Sequence, residues 1–69
     1  ESITGTLRYL SHPIYRGDSL VDALSQIGVD SSFASRKDLA QKNGIENYTG
    51  SARQNLELLR LLQEGRLKS

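Results

Sequence analysis

The chain has 69 residues, 36% of them hydrophobic and 25% charged, and nine Lys and Arg against eight Asp and Glu give a net charge of +1. This composition fits one small globular domain over residues 1–69, and the absence of Cys excludes a disulfide-stabilised scaffold. One His cannot build a zinc site, and basic residues spread without a cluster argue against a nucleic-acid-binding domain.

A domain of this size has a thin hydrophobic core, so a partner subunit or a parent chain is the expected support. The chain begins at Glu1 rather than Met, so an excised piece or the mature end of a longer protein is expected. Its longest apolar pattern, "LELLRLL", is too short and too charged to span a membrane, and no signal-peptide pattern is visible.

The first section of the chain, "ITGTLRYL", alternates as a strand does, with Tyr9 on the apolar face and therefore expected in the core. The turn residues "SHP" follow, and "IYR" can return as a second strand, so a β-hairpin is predicted over about residues 3–16. Tyr15 and Arg16, close to the exit of this hairpin, are surface candidates for ligand binding.

Three helices are predicted after the hairpin, over about residues 19–27, 31–43 and 51–64. Each starts at a Ser or Asp that can accept a hydrogen bond from a free backbone N–H, and each ends at a Gly that can adopt a positive φ. The predicted fold class is therefore small α+β, mainly helical, with the hairpin preceding three short helices.

The third predicted helix carries leucines over more than half of its circumference, whereas a surface helix needs an apolar stripe of only about 100°. The main explanation is a central position, in which this helix packs on both other helices and the hairpin. Contact with a second subunit is the alternative, and it predicts a homo-oligomer formed through helix 3.

The connection "NGIENYTG" and the start of helix 3 combine structural residues with candidate binding residues. Ser51 and Gln54 have the spacing of a capping box. Asn47 and Thr49 are turn formers that also offer polar groups to a ligand. Tyr48 either staples the helices together or presents a flat face to a ligand.

Two further polar residues of helix 3 need partners. Asn55 projects into the apolar arc, where its amide is expected to bind the backbone of residues 45–50 or to set the register of an oligomer. Arg53 lies beside the positive end of the helix dipole. An acidic neighbour, Glu46 or Glu57, or a bound glycan or carboxylate is therefore expected beside Arg53.

Arg36 is expected to pack its stem on the core and to pair with Asp18, Asp22 or Asp30. Catalysis is not indicated, because Asp18 and Asp22 lie on one helix face rather than across a cleft, and His12 has no evident acid to orient it. No Gly-rich phosphate loop is present, so neither an enzyme nor a cofactor or metal site is predicted.

The segments "VDSSFASRKDLA", "NGIENYTG" and "QNLELLRLL" together resemble the C-terminal cell-wall-binding domain of N-acetylmuramoyl-L-alanine amidases (endolysins) from Bacillus phages and prophages. The resemblance covers residues 17–67, with these elements in the same order and spacing. Arg53 stands where relatives are expected to carry a small or uncharged residue, which makes it a candidate for ligand specificity.

The resemblance implies a non-catalytic module that targets a lytic amidase to the Gram-positive cell wall, with peptidoglycan or a secondary wall polymer as its partner. It also implies a catalytic domain before Glu1, and a parent protein that is made in the host cytoplasm and acts at the wall. Two alternatives stay open. One is an oligomerisation module of a phage lysis protein, and the other is a helix-turn-helix DNA-binding domain.

Overall fold

The computed structural model describes residues 8–69. In chain order its elements are a strand β1 (Tyr9–Leu10), the helices α1 (Leu20–Gln26), α2 (Phe33–Lys42) and α3 (Ala52–Gln63), and a strand β2 (Leu67–Lys68). The small, mainly helical α+β class predicted from the sequence is confirmed, and each helix lies within its predicted range. No helix among the described residues is long and apolar enough to cross a membrane.

The helix ends follow from the local sequence. Each helix begins at a serine whose hydroxyl accepts a hydrogen bond from the backbone N–H three residues later: Ser19, Ser32 and Ser51. At the end of α1, Gly28 has a φ of +76°, and the N–H of Val29 donates to the carbonyl of Leu24 at 3.0 Å. This is a Schellman turn, and the same hydrogen-bond pattern ends α2 and α3.

Helix α3 is the central element of the fold, since α1, α2 and β2 all pack on it. Its buried stripe consists of Leu58, Leu59 and Leu62, each at most 1% exposed. Complete burial of a leucine contributes about 1.5–3 kcal/mol, so this stripe supplies much of the stability of so small a core. Leu56 stays 49% exposed, so the core explains most but not all of the leucine arc.

The two strands come from opposite ends of residues 8–69 and pair with each other. β1 is antiparallel to β2, with Tyr9 opposite Lys68 and Leu10 opposite Leu67. Leu67 is 0% exposed. Because buried backbone N–H and C=O groups need hydrogen-bond partners, pairing with β1 stabilises this end of the chain. Leu10 packs against the core, whereas Tyr9 is 53% exposed. The predicted core position of Tyr9 is therefore wrong.

The pairing predicted within residues 3–16 is corrected in the part that the structure describes. Residues 14–16 form no strand, because the chain turns there and the N–H of Tyr15 donates to the carbonyl of His12 at 3.2 Å. The N–H of His12 donates in turn to the carbonyl of Leu62 at 2.9 Å, which holds this turn against α3. The start of the predicted hairpin, residues 3–7, lies outside the described residues.

Candidate functional site

The polar connection before α3 is held together by the side chain of Gln54. Its Oε1 accepts hydrogen bonds from the N–H of Thr49 at 2.8 Å and of Ser51 at 3.4 Å, and its Nε2 donates to the carbonyl of Asn47 at 3.2 Å. The Ser51 hydroxyl accepts from the N–H of Gln54 at 3.2 Å, which completes a capping box. Asn47 and Thr49 are exposed, so part of each side chain stays accessible.

Tyr48 joins this connection to two helices and is only 6% exposed. Its hydroxyl donates to Oδ1 of Asn55 and accepts from Nη1 of Arg36 at 3.1 Å. The Nδ2 of Asn55 also donates to the carbonyl of Gly50 at 3.4 Å, so this amide binds the connection from the helix side. Of the two roles considered for Tyr48, the structure shows the staple. A ligand cannot stack on this buried ring.

Tyr15 is also buried, with 9% of its surface exposed. Its hydroxyl accepts from the N–H of Ser19 at 3.1 Å and donates to Oδ2 of Asp22 at 3.3 Å. The phenol thereby satisfies a backbone group at the start of α1 that would otherwise need another partner. The surface position predicted for Tyr15 is therefore wrong, whereas its neighbour Arg16 is exposed.

Arg53 is exposed, and the acidic partner expected for it is not found among residues 8–69. Glu46 and Glu57 form no ion pair with it within 4.0 Å. Arg53 lines a shallow hollow of about 350 Å³ on the outer face of α3, together with Leu56, Glu57 and Arg60. Charges of both signs surround the exposed leucine on this face.

Arg36 makes hydrogen bonds to neutral acceptors instead of the predicted ion pair. Its Nε donates to the carbonyl of Ser31 at 3.1 Å, and its Nη1 donates to the Tyr48 hydroxyl at 3.1 Å and to Oδ1 of Asn55 at 3.5 Å. Its guanidinium carbon lies 5.8 Å from the centre of the Phe33 ring. We call Arg36, Tyr48, Asn55 and Phe33 the Arg36 cluster. No ion pair forms between Arg36 and the acids Asp18, Asp22 or Asp30.

An open depression of about 230 Å³ lies beside the two-stranded sheet, next to the C-terminal ends of α2 and α3. We call it the Tyr9 groove, and its lining residues are Tyr9, Asn43, Leu61, Arg66 and Lys68. The Tyr9 side chain is 53% exposed, so this ring, unlike those of the other two tyrosines, is open to a ligand.

Asn43 fixes one wall of the Tyr9 groove. Its Nδ2 donates to the carbonyl of Lys68 at 3.0 Å and to that of Leu39 at 2.7 Å, and its Oδ1 accepts from the N–H of Lys68 at 2.9 Å. In an antiparallel pair, the backbone N–H and C=O of every second residue point away from the partner strand. Lys68 is such a residue, so its N–H and C=O point away from β1 and bond the side chain of Asn43. Tyr9 and Lys68 lie opposite each other, so their side chains share one face of the sheet.

The groove carries positive charge from Arg66 and Lys68. Glu64 lies 3.4 Å from Arg66, but the two side chains are 47% and 72% exposed, so this ion pair is weak. Leu61 adds an apolar surface, and none of the lining side chains forms a nucleophile–base pair. A ring, two cations and an apolar surface suit the binding of a ligand that combines an apolar face with negative charge.

Sequence reasoning missed this groove because its signals are short. The polar–apolar–polar order of Arg66, Leu67 and Lys68 after a glycine is a strand pattern, but three residues are too few to distinguish it from an irregular chain end. The alternation in "ITGTLRYL" places Tyr9 on the apolar face, which hides it as a candidate. In the sequence, Asn43 indicates only the end of a helix.

The chain is similar in sequence to segments of two proteins of Listeria phages. Over 47 residues, or 68% of the chain, it is 51% identical to the "L-alanyl-D-glutamate peptidase" of Listeria phage A118. Over 46 residues, or 67% of the chain, it is 44% identical to the "Endolysin" of Listeria phage A511. The matched segments are 17% and 14% of these relatives, so the chain spans less than a fifth of either one. No solved structure matches the chain.

These relatives support part of the resemblance described above. They are proteins of Listeria phages, one named as an endolysin and the other as a peptidase, whereas the sequence pattern resembles amidases of Bacillus phages. A relationship to phage endolysins is common to both. Residues 12–65 also match a family model, so the chain belongs to the family described as "Domain of unknown function (DUF3597)".

Proposed function

We propose that this chain is a non-catalytic module that anchors a phage lytic enzyme on the Gram-positive cell wall, and that it binds the wall through the Tyr9 groove. The observation that carries the proposal is the Tyr9 ring, 53% exposed beside Arg66 and Lys68 in an open groove. The relationship to phage endolysins supports a role in lysis. In this proposal the parent protein is made in the host cytoplasm, and a separate domain cleaves the wall.

The chemistry of the groove matches that of a wall polymer. A sugar ring presents C–H groups on one face, which pack on an aromatic ring, while its hydroxyls bond polar groups at the edge of the site. Arg66 and Lys68 can meet carboxylate or phosphate groups through charge-assisted hydrogen bonds. Peptidoglycan and the secondary wall polymers both offer such groups, so either fits the proposal.

A weak contact at each groove is sufficient for binding when the ligand is a polymer. A wall presents the same ligand many times, and linked binding events can raise overall affinity by about 10²–10⁴ over a single contact. A shallow groove on a small domain can therefore hold an enzyme at its substrate. This also explains how anchoring could proceed without a deep pocket.

Co-sedimentation of the folded chain with purified Bacillus and Listeria walls tests the proposal. Tyr9→Ala is expected to weaken binding roughly 2- to 12-fold, as loss of one aromatic contact of about 0.5–1.5 kcal/mol would do. Ile14→Ala is the matched control, because Ile14 is 76% exposed and does not line the groove. Failure of the folded wild-type chain to sediment with any wall preparation would remove the proposal.

Walls stripped of their secondary polymers by acid distinguish the two kinds of ligand. Binding that survives the extraction identifies peptidoglycan, and binding that is lost identifies a secondary polymer. Lys68→Gln tests the charge separately, and it should weaken binding and reduce its dependence on salt concentration.

Self-association through α3 is a second candidate function, and the exposure of Leu56 favours it. This leucine is 49% exposed, and the charged residues Arg53, Glu57 and Arg60 surround it. Light scattering should then show an oligomer that Leu56→Ala converts to a monomer, and a monomeric wild-type chain at high concentration would exclude it. The helix-turn-helix alternative gains no such support, because the basic residues are spread along the sequence without a cluster.

A further inference from the structure

The hydrogen bonds that hold the Arg36 guanidinium within residues 8–69 leave one of its edges free. The carbonyl of Ser31 holds its Nε, and the Tyr48 hydroxyl and Oδ1 of Asn55 hold its Nη1. Its Nη2 has no hydrogen-bond partner among residues 8–69. No buried side-chain nitrogen in this part of the chain lacks a partner, so Nη2 must reach solvent.

The charge of Arg36 is not neutralised by the acids of the described residues. The ion pairs in this part of the chain are Lys42–Asp38 and Arg66–Glu64. Asp30 precedes α2, but its carboxylate accepts from the N–H of Ser32 at 3.0 Å and from its hydroxyl at 3.1 Å. The first turn of α2 contains no acidic residue. A half-buried cation with neutral partners is stabilised further by an anion that comes from outside the chain.

Phe33 places an apolar surface beside the Arg36 guanidinium. Its ring is 48% exposed, and its centre lies 5.8 Å from the guanidinium carbon of Arg36. Packing holds the ring in place, since its centre is 5.4 Å from that of Tyr48 and a Cβ at Gly50 would lie 3.2 Å from its Cε1. A fixed cation and a fixed, half-exposed ring therefore stand side by side at the start of α2.

We propose that the Arg36 cluster is a second binding site, which takes a carboxylate or phosphodiester oxygen borne next to an apolar group that packs on Phe33. Because Nε and Nη1 are occupied, the ligand oxygen meets Nη2 alone. The site then binds one oxygen of the ligand, whereas a free guanidinium prefers to bind two oxygens of the same carboxylate or phosphate. It shares no residue with the Tyr9 groove, so it goes beyond the proposed function and does not depend on it.

An NMR titration of the isotope-labelled 69-residue chain tests this site. The probes are L-alanyl-D-glutamate as a carboxylate and dimethyl phosphate as a phosphodiester, with sodium chloride at equal ionic strength as the control. The Nε–H signal of Arg36 and the ring protons of Phe33 should shift and saturate together. The exposed Arg16 and Arg53 are internal comparators in the same spectra, and the probe that saturates at lower concentration identifies the ligand source.

Three variants sharpen the test. Arg36→Lys should weaken probe binding roughly 10-fold, as loss of a charge-assisted hydrogen bond would do. Phe33→Ala should weaken it roughly 3- to 10-fold, while leaving every hydrogen bond of Arg36 in place. Lys37→Gln is the matched control, because it removes an exposed charge next in sequence and should change binding less than about 2-fold.

Two outcomes would overturn this second site. One is a shift at Arg36 no larger than those at Arg16 and Arg53, and the other is a shift that sodium chloride reproduces. The Tyr9 groove is tested apart from it, since Tyr9→Ala should reduce wall binding and leave the probe shifts at Arg36 unchanged. Loss of one response without the other therefore shows which of the two sites fails.

Discussion

The side-chain amide of Asn43 binds the peptide unit of Lys68 as a neighbouring strand would, donating to its carbonyl at 3.0 Å and accepting from its N–H at 2.9 Å. Asn43 is the C-cap of α2, and Lys68 belongs to the last strand. On the other edge of this strand lies β1, which carries Tyr9. One amide at a helix end therefore supports the strand that forms the wall of the Tyr9 groove.

Asn43→Ala is expected to destabilise the fold by about 1–3 kcal/mol, because it leaves the half-buried peptide groups of Lys68 without partners. Urea unfolding measures the loss, and hydrogen exchange at the Lys68 amide should accelerate. Gln41→Ala, at an exposed position of the same helix, should stay within about 0.5 kcal/mol of wild type. An unchanged exchange rate at Lys68 would contradict the role assigned to Asn43.

Ser51→Ala should cost about 1 kcal/mol, because the N-cap hydroxyl of α3 then no longer accepts from the N–H of Gln54. Ser35→Ala is the control, since Ser35 lies within α2 and caps no helix. Alanine is the better helix former by up to about 0.5 kcal/mol, so that variant should be neutral or slightly stabilising. Thermal unfolding compares the two, and equal effects would count against the capping box.

Leu62→Ala should destabilise the protein by about 2–5 kcal/mol, because it opens a cavity in the stripe that α1, α2 and β2 cover. Leu56→Ala removes the same atoms from the same helix, but Leu56 is 49% exposed. Its cost should stay below about 1 kcal/mol. Denaturant midpoints measure both, and similar losses would show that the buried stripe of α3 is placed wrongly.

Gly17→Ala should be destabilising for a steric reason, at about 1–3 kcal/mol for an overpacked site. A Cβ on Gly17 would lie 2.7 Å from Cζ and 3.3 Å from Cε1 of Tyr15. In a Tyr15→Leu background the same change should cost less than about 0.5 kcal/mol, because the ring that it meets is gone. A double-mutant cycle on unfolding free energy measures the difference. An equal cost in both backgrounds would exclude the clash.

The helices of this protein were predictable because their signals are local. An N-cap side chain accepts from the N–H three residues later. At a Schellman turn the glycine N–H donates to the carbonyl three residues back, and the next N–H donates five residues back. Ser51 and Gln54 thus appear in the sequence as the capping box that the structure contains. The three predicted helix ranges agree with the structure because these signals are local. The predicted partner of β1 was wrong because strand pairing depends on residues far apart in the sequence.

The sequence by itself determined the three helices, the capping box of α3 and the mainly helical class, since each depends on residues within about one helical turn. Only the tertiary structure decided which tyrosine faces solvent, and it buried Tyr15 and Tyr48 while leaving Tyr9 open. Burial is a property of segments that meet after folding: Tyr9 and Lys68 come from opposite ends of the described chain, yet face each other in one sheet. A short sequence pattern does not indicate which distant segments come into contact, so the Tyr9 groove could be identified only from the tertiary structure.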